Sequence, residues 1–169
     1  MARAIVITGG NLDNVKARLR QAQQMINERL GIILRCSHMY ESEAWGFTSS
    51  ENFLNQAIEL DTDLSPEELL KGVLAIEQEL GRDREAEAAI KAENGEPYSS
   101  RKIDIDILFY DDKVINTPDL VIPHPLMQER EFVLAPLSEI APNKIHPLLD
   151  KTVREMRGEL QARQLAEKE

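Results

Sequence analysis

At 169 residues the chain has room for one domain and little for a second with its own core. Its 20 basic and 30 acidic residues leave a net charge of −10, which counts against a duplex nucleic-acid binder, since that class needs a basic face to displace counterions. With 42% hydrophobic and 30% charged residues, a globular, water-soluble protein is expected rather than a disordered one. The single cysteine, Cys36, excludes an intramolecular disulfide and fits a reducing compartment. The apolar stretch near the N-terminus is too short for a signal peptide, and no run approaches the roughly 18 apolar residues of a membrane span. The expectation is one domain over 1–169, in the cytoplasm, with no membrane or nucleic-acid partner.

Ala4 to Thr8 reads as a first strand, stopped by Gly9-Gly10 in a tight turn. Asn11 precedes a helical pattern of Leu12, Val15, Leu19, Ala22, Ile26 and Leu30 that ends at Gly31. Ile32 to Tyr40 and Phe53 to Leu60 read as strands, separated by a polar loop, Glu41 to Glu51, that carries Trp45. Ser65-Pro66-Glu67-Glu68 is a capping box with proline at the first helical position, so a second helix starts there and runs to Gly81. Arg82 to Ser100 has no sustained period and reads as a long loop of the kind that serves as a lid. Ile103 to Tyr110 alternates as a strand, with a turn at Asp111-Asp112 and a return arm over Lys113 to Ile115. Short helices are expected over Glu129 to Glu139 and Thr152 to Glu167. The order β-α-β-β-α-β is that of a ferredoxin-like α+β core, an antiparallel sheet with helices packed against it.

The most informative stretch is Arg101-Lys102-Ile103-Asp104-Ile105-Asp106-Ile107-Leu108-Phe109. Strand alternation puts Ile103, Ile105, Ile107 and Phe109 on one face and Asp104 with Asp106 on the other, Cα atoms roughly 6.6 Å apart. Magnesium is typically held by one or two carboxylates plus substrate phosphates and water, so this pair suits a metal–nucleotide site. The plainer alternative is a solvent-facing strand that happens to carry two acids. Yet aspartate is depleted in strands and like charges on one face repel, so that alternative needs its own explanation.

Arg82, Arg84 and Arg101 border the long loop, and guanidinium forks match phosphate oxygens. Pairing with Asp83, Glu85 and Glu87 is the competing use for them. Glu77 follows Leu70, Val73 and Leu74 on the second helix, at the edge of its apolar face, free either to receive a nucleoside polar group or to reach solvent. His124 is framed by Pro123 and Pro125, while no paired His or Cys spacing suggests zinc and no Gly-rich phosphate loop is present.

In order along the chain, Gly9-Gly10-Asn11-Leu12, Phe53-Leu54-Asn55, Glu77 with Arg82 and Arg84, Arg101 with Asp104 and Asp106, and Pro123-His124 with Arg130 and Phe132 form a pattern. It resembles the 6-hydroxymethyl-7,8-dihydropterin pyrophosphokinase family, over about residues 4 to 150. The resemblance implies a ferredoxin-like fold with added strands and helices, a monomer, and transfer of pyrophosphoryl from ATP to the pterin hydroxymethyl, releasing AMP, in folate biosynthesis. It implies that Asp104 and Asp106 hold two magnesium ions. It implies that Arg82, Arg84, Arg101, His124 and Arg130 meet the triphosphate, with Glu77 and Ile107 near the nucleoside. The pterin is then expected on Phe132, with Asn55 reading its polar edge and Phe53 and the Ser42-Glu43-Ala44-Trp45 loop lining the pocket. Tyr98 is the candidate lid aromatic.

Three departures stand out: the usual Gly-Ser-Asn reads Gly9-Gly10-Asn11, the Glu41 to Ala44 loop lacks the family's prolines, and the Arg84 to Arg101 loop is longer than in compact members. Two other classes compete with this reading. A non-catalytic ferredoxin-like ligand-binding module would form no AMP, and an ordinary kinase would release ADP.

Overall fold

The computed structural model describes residues 1–11, 14–42, 52–81 and 103–168. Strand β1 (Ala2–Gly10) turns Ala4 and Val6 to one side and Ile5 and Ile7 to the other, all buried. A strand apolar on both faces belongs at the centre of a sheet covered on both sides. Accordingly β1 pairs antiparallel with β4 (Phe53–Thr62) along one edge and with β5 (Asp104–Tyr110) along the other. Strand β2 (Ile32–Cys36) lies outside β4, giving the order β2-β4-β1-β5, and β3 (Tyr40–Ser42) pairs with β4 further along.

Helices α1 (Val15–Arg29) and α2 (Pro66–Glu79) cover the Ala4/Val6 face through Leu19, Ala22 and Ile26 and through Leu69, Val73 and Ile76. The expected capping box forms: the Ser65 hydroxyl accepts from the Glu68 amide, and the Ser65 amide donates to the Glu68 carboxylate at 2.9 Å. Helix α2 ends at Gly81, whose φ of 102° is left-handed. The Ile5/Ile7 face is covered by α3 (Glu131–Ile140) and α4 (Val153–Lys168), with Val133, Leu134 and Leu137 meeting Met156 and Leu160. A 3-10 turn (Met127–Glu129) leads into α3. The result is the expected ferredoxin-like α+β core with helices on both faces. Two small hairpins complete it, β6 (Ile115–Asn116) with β7 (Val121–Ile122) and β8 (Ile145–His146) with β9 (Lys151–Thr152).

Five local readings are corrected. Gly9 and Gly10 are strand, not turn: Gly9 pairs with Asn55 on one side and Asp104 on the other, and the missing side chain serves a close approach rather than a bend. The expected strand over Ile32 to Tyr40 is two strands, because the Ser37 hydroxyl takes the Ala57 amide at 3.0 Å and interrupts the ladder between β2 and β3. Phe109 does not share a face with Ile103, Ile105 and Ile107. Val6 pairs with Ile107 and Ile5 with Phe109, so Leu108 is an extra residue that flips the remainder of β5, and Phe109 joins the α3/α4 core. Lys113 to Ile115 does not fold back on β5, since Ile115 pairs with Ile122 of β7. Asn14 rather than Asn11 stands at the α1 N-cap, with a left-handed φ of 48°.

Candidate active site

Directly opposed residues of an antiparallel ladder point to the same face, so the pairing register places the expected site residues in rows. Tyr40 of β3 lies opposite Asn55 of β4, Asn55 opposite Gly9 of β1, and Gly9 opposite Asp104 of β5. This one row crosses four strands. Flanking it on the same face are Ser42 opposite Phe53, and Ala57 with Ile7 and Asp106. Asn55 and Asp104 are thus two strand spacings apart, about 9.5 Å. The face is the one on which α3 carries Phe132.

Gly9 is what lets the row close up: a Cβ there would stand 2.2 Å from the Asn55 Oδ1, so the amide lies across the bare glycine. Asn55 is 7% exposed, and its Nδ2 has no hydrogen-bond partner. A buried donor left unmade costs about 1–3 kcal/mol, a cost that an acceptor brought to this amide would relieve.

Asp104 and Asp106 are half-buried, as alternation requires, while Ile103, Ile105 and Ile107 between and beside them are in the core. His124 is anchored from both ends: its amide donates to the Leu108 carbonyl at 3.1 Å, and its Nδ1 lies 2.9 Å from the Pro125 carbonyl. A carbonyl only accepts, so Nδ1 carries the proton and Nε2 is the free nitrogen, 3.8 Å from the Asp106 Oδ2. Burial pushes the imidazole below its ordinary value, the nearby Arg130 adds to this, and the Pro125 carbonyl and Asp104 oppose it. The Arg130 guanidinium sits 5.9 Å from the centre of the Phe132 ring.

Glu77 corrects the solvent alternative. It is 2% exposed, and its Oε2 accepts the Ile105 amide at 2.6 Å, on the edge of β5 that β1 leaves open. The carboxylate therefore braces the strand between the two aspartates. The Ile107 side chain packs in the core.

A cleft of about 320 Å³ opens between β3 and α3, lined by Ser42, Arg130 and Phe132 among others. Tyr40, Glu131 and Gln164 also line it. None of the three stands out in the sequence: Tyr40 ends an expected strand, and only the packing of α3 and α4 brings Glu131 and Gln164 to β3. Arg82, Arg84, Arg101, Glu43, Ala44, Trp45 and Tyr98 lie outside the described residues. Among the described residues no group of three or more His, Cys, Asp or Glu is set to hold a metal by itself. Two carboxylates on one face, with further positions open to phosphate and water, are the donor set magnesium accepts.

Residues 5–142 match the model of the 7,8-dihydro-6-hydroxymethylpterin-pyrophosphokinase family. The chain belongs to this family. It is 38% identical over 159 residues to the 2-amino-4-hydroxy-6-hydroxymethyldihydropteridine pyrophosphokinase of Aquifex aeolicus, covering 94% of this chain and 92% of that one. To the enzyme of the same name from Porphyromonas gingivalis it is 40% identical over 148 residues, covering 87% of this chain and 95% of that one. Among solved structures, a Plasmodium falciparum HPPK-DHPS with pteroate superposes with a TM-score of 0.76 at 15% identity, covering 96% of this chain. The chain spans 45% of that longer protein, and the likeness there is one of fold. The family match stops short of α4, the helix that brings Gln164 to the cleft.

Proposed function

We infer that the chain is a diphosphotransferase of folate biosynthesis, moving pyrophosphoryl from ATP to 6-hydroxymethyl-7,8-dihydropterin and releasing AMP. Membership of the pyrophosphokinase family supports the reaction. The observation that carries it to these residues is the row Asn55–Gly9–Asp104, which sets an unsatisfied amide and a carboxylate pair on one face, about 9.5 Å apart. That span suits a bicyclic ring read at one end and reacting at its hydroxymethyl arm.

In this reading Asp104 and Asp106 hold two magnesium ions, which supply charge neutralisation at the triphosphate. The pterin hydroxyl attacks the β-phosphorus in line, the bond to the α-phosphate oxygen breaks, and AMP leaves. Such a transfer is accelerated mainly by positioning and by neutralising spreading charge. Arg82, Arg84, Arg101, His124 and Arg130 supply cationic or donor groups toward the phosphates, while Glu77 and Ile107 stand near the nucleoside. Phe132 and Phe53 offer flat faces to the pterin, Asn55 its donor and acceptor, and residues 42–45 and Tyr98 line or close the pocket. A cytoplasmic monomer completes the proposal.

The test is nucleotide product analysis with ATP and magnesium, with and without the pterin. AMP formed only with pterin supports the reading; ADP, or no nucleotide turnover, refutes it.

A further inference from the structure

Glu139 lies outside every residue set discussed so far, yet its carboxylate joins the two walls of the cleft. It sits on α3, seven residues beyond Phe132 and therefore about two turns along the same helix. The Tyr40 hydroxyl donates to its Oε1 at 2.7 Å. The His38 amide donates to both oxygens at 3.2 and 3.1 Å, and the His38 Nδ1 lies 3.2 Å from each. Tyr40 and His38 belong to the segment that enters β3, so every one of these bonds runs from the β3 wall to the α3 wall.

The position of that tie matters because of what stands beside it. Tyr40 is the ladder partner of Asn55, and Ser42, two residues on, is the partner of Phe53. Among the described residues strand β3 is a three-residue edge strand with only β4 beside it, so its place relative to α3 is not fixed by the sheet alone. From the other side, Arg157 of α4 donates to Glu131 at 2.7 Å and to the Ser138 hydroxyl at 3.2 Å, so α3 is itself held against α4. The Arg35 guanidinium adds a bond from β2 to the Ile140 carbonyl at 3.1 Å. Helix α3 is therefore the fixed wall, and the Glu139 carboxylate is the link through which it holds β3. Burial pushes the Glu139 carboxyl up, but the bonds from Tyr40 and His38 outweigh burial and leave it below its ordinary value, charged at neutral pH. The bonds are thus charge-assisted.

We propose that Glu139 is a positioning residue for the acceptor substrate, fixing through Tyr40 the separation between the β3 edge, with Ser42 and its partners Asn55 and Phe53, and the Phe132 ring. The proposal rests on the pyrophosphokinase reading, because it takes the pterin to lie between those walls. It assigns Glu139 no contact with ATP, with the reacting atoms or with the aspartate pair.

The experiment compares Tyr40→Phe, Glu139→Gln and Glu139→Ala with the wild-type chain in steady-state AMP formation, varying pterin and ATP in turn, alongside thermal unfolding. Tyr40→Phe keeps the ring and removes one donor; it is expected to raise KM for the pterin roughly three- to tenfold while KM for ATP stays within about twofold. Glu139→Gln keeps an oxygen for the Tyr40 hydroxyl and is expected to retain more pterin affinity than Glu139→Ala. An unchanged pterin KM in Tyr40→Phe and Glu139→Ala overturns the proposal. So does a loss in which both KM values and kcat move together with the melting temperature, since that is merely a weakened fold. A wild-type chain that forms no AMP overturns the underlying reading and the proposal with it, an outcome distinguished by the wild-type assay alone.

Discussion

An alanine at Gly9 would carry its Cβ to 2.2 Å from the Asn55 Oδ1, with the Asn55 Cγ and the Leu54 carbonyl both at 3.2 Å. Ordinary contact begins near 3.4 Å, so the overlap with Oδ1 is about 1.2 Å, too large for small adjustments. The Asn55 backbone is held in the ladder to Gly9 and to Tyr40, which leaves side-chain rotation as the way out. Overpacking of this kind costs about 1–2 kcal/mol, a fall in Tm of roughly 2–8 °C for a chain of this size. On the proposed placement of the pterin the functional loss is larger, because the rotated amide would no longer meet the pterin edge. One buried polar partner lost is worth about 1–3 kcal/mol, a rise in KM for the pterin of roughly 5- to 150-fold with KM for ATP little changed. Thermal unfolding and steady-state AMP formation at saturating ATP measure the two effects. Asn55→Ala removes the atom that collides, so the double variant should be at least about 1 kcal/mol more stable than the sum of the single changes implies. Additive stabilities, or a Gly9→Ala chain with native pterin KM, would refute the reasoning.

Asp106→Ala should lower turnover on the order of 10²–10³-fold with magnesium while the melting temperature holds, because it removes a partly exposed carboxylate, the proposed metal ligand, rather than core volume; near-native turnover counts against the metal assignment. His146 is buried beside the Phe109 ring, and its Nδ1 accepts the Leu148 and Leu149 amides at 3.2 Å each, so burial holds its pKa below 6.5 in the fold. The unfolded chain then binds the proton more readily, and stability should fall as pH drops below about 6.5. His146→Asn, which keeps an acceptor but does not titrate, should flatten that slope in pH-dependent denaturation, and an unaltered slope would exclude the assignment. Gly31→Ala would put a Cβ 2.1 Å from the Asp61 carbonyl oxygen, rigid backbone, and should cost about 3 kcal/mol. Gly158→Ala, in open space on the exposed face of α4, should gain about 0.5–1 kcal/mol; similar melting temperatures for the two would contradict the packing account.

Most of the frame was legible because its signals are local. The Ser65 capping box, the Gly81 stop and the alternation of Ile103 to Ile107 each depend on residues within a turn or two of one another, and all three occur in the structure. The failures are those of tertiary context. The extra residue at Leu108 has no signature in a run that alternates up to Ile107 and then reads Leu-Phe-Tyr, three apolar residues that suit either face. Only because helices cover both faces can Leu108 and Phe109 be buried with α3 and α4 while Tyr110 is buried with α2. The break at Ser37 likewise depends on the Ala57 amide, twenty residues away in sequence.

The site divides along the same line. That Asp104 and Asp106 share a face follows from the period of a strand, but which face, and what stands beside them, is set by register across strands distant in sequence. Gly9 shows how the two kinds of information meet. Read locally, two glycines after a β-favouring run signal a turn; read in the ladder, the first of them is the gap through which Asn55 reaches toward the carboxylate strand. A glycine inside a strand costs conformational entropy and contributes no packing, so its presence between two polar partners calls for a compensating role. Here that role is geometric. Filling the gap would separate the amide from its place in the row without touching either aspartate, which is why the Gly9 and Asp106 variants should fail differently, the first in pterin KM and the second in turnover.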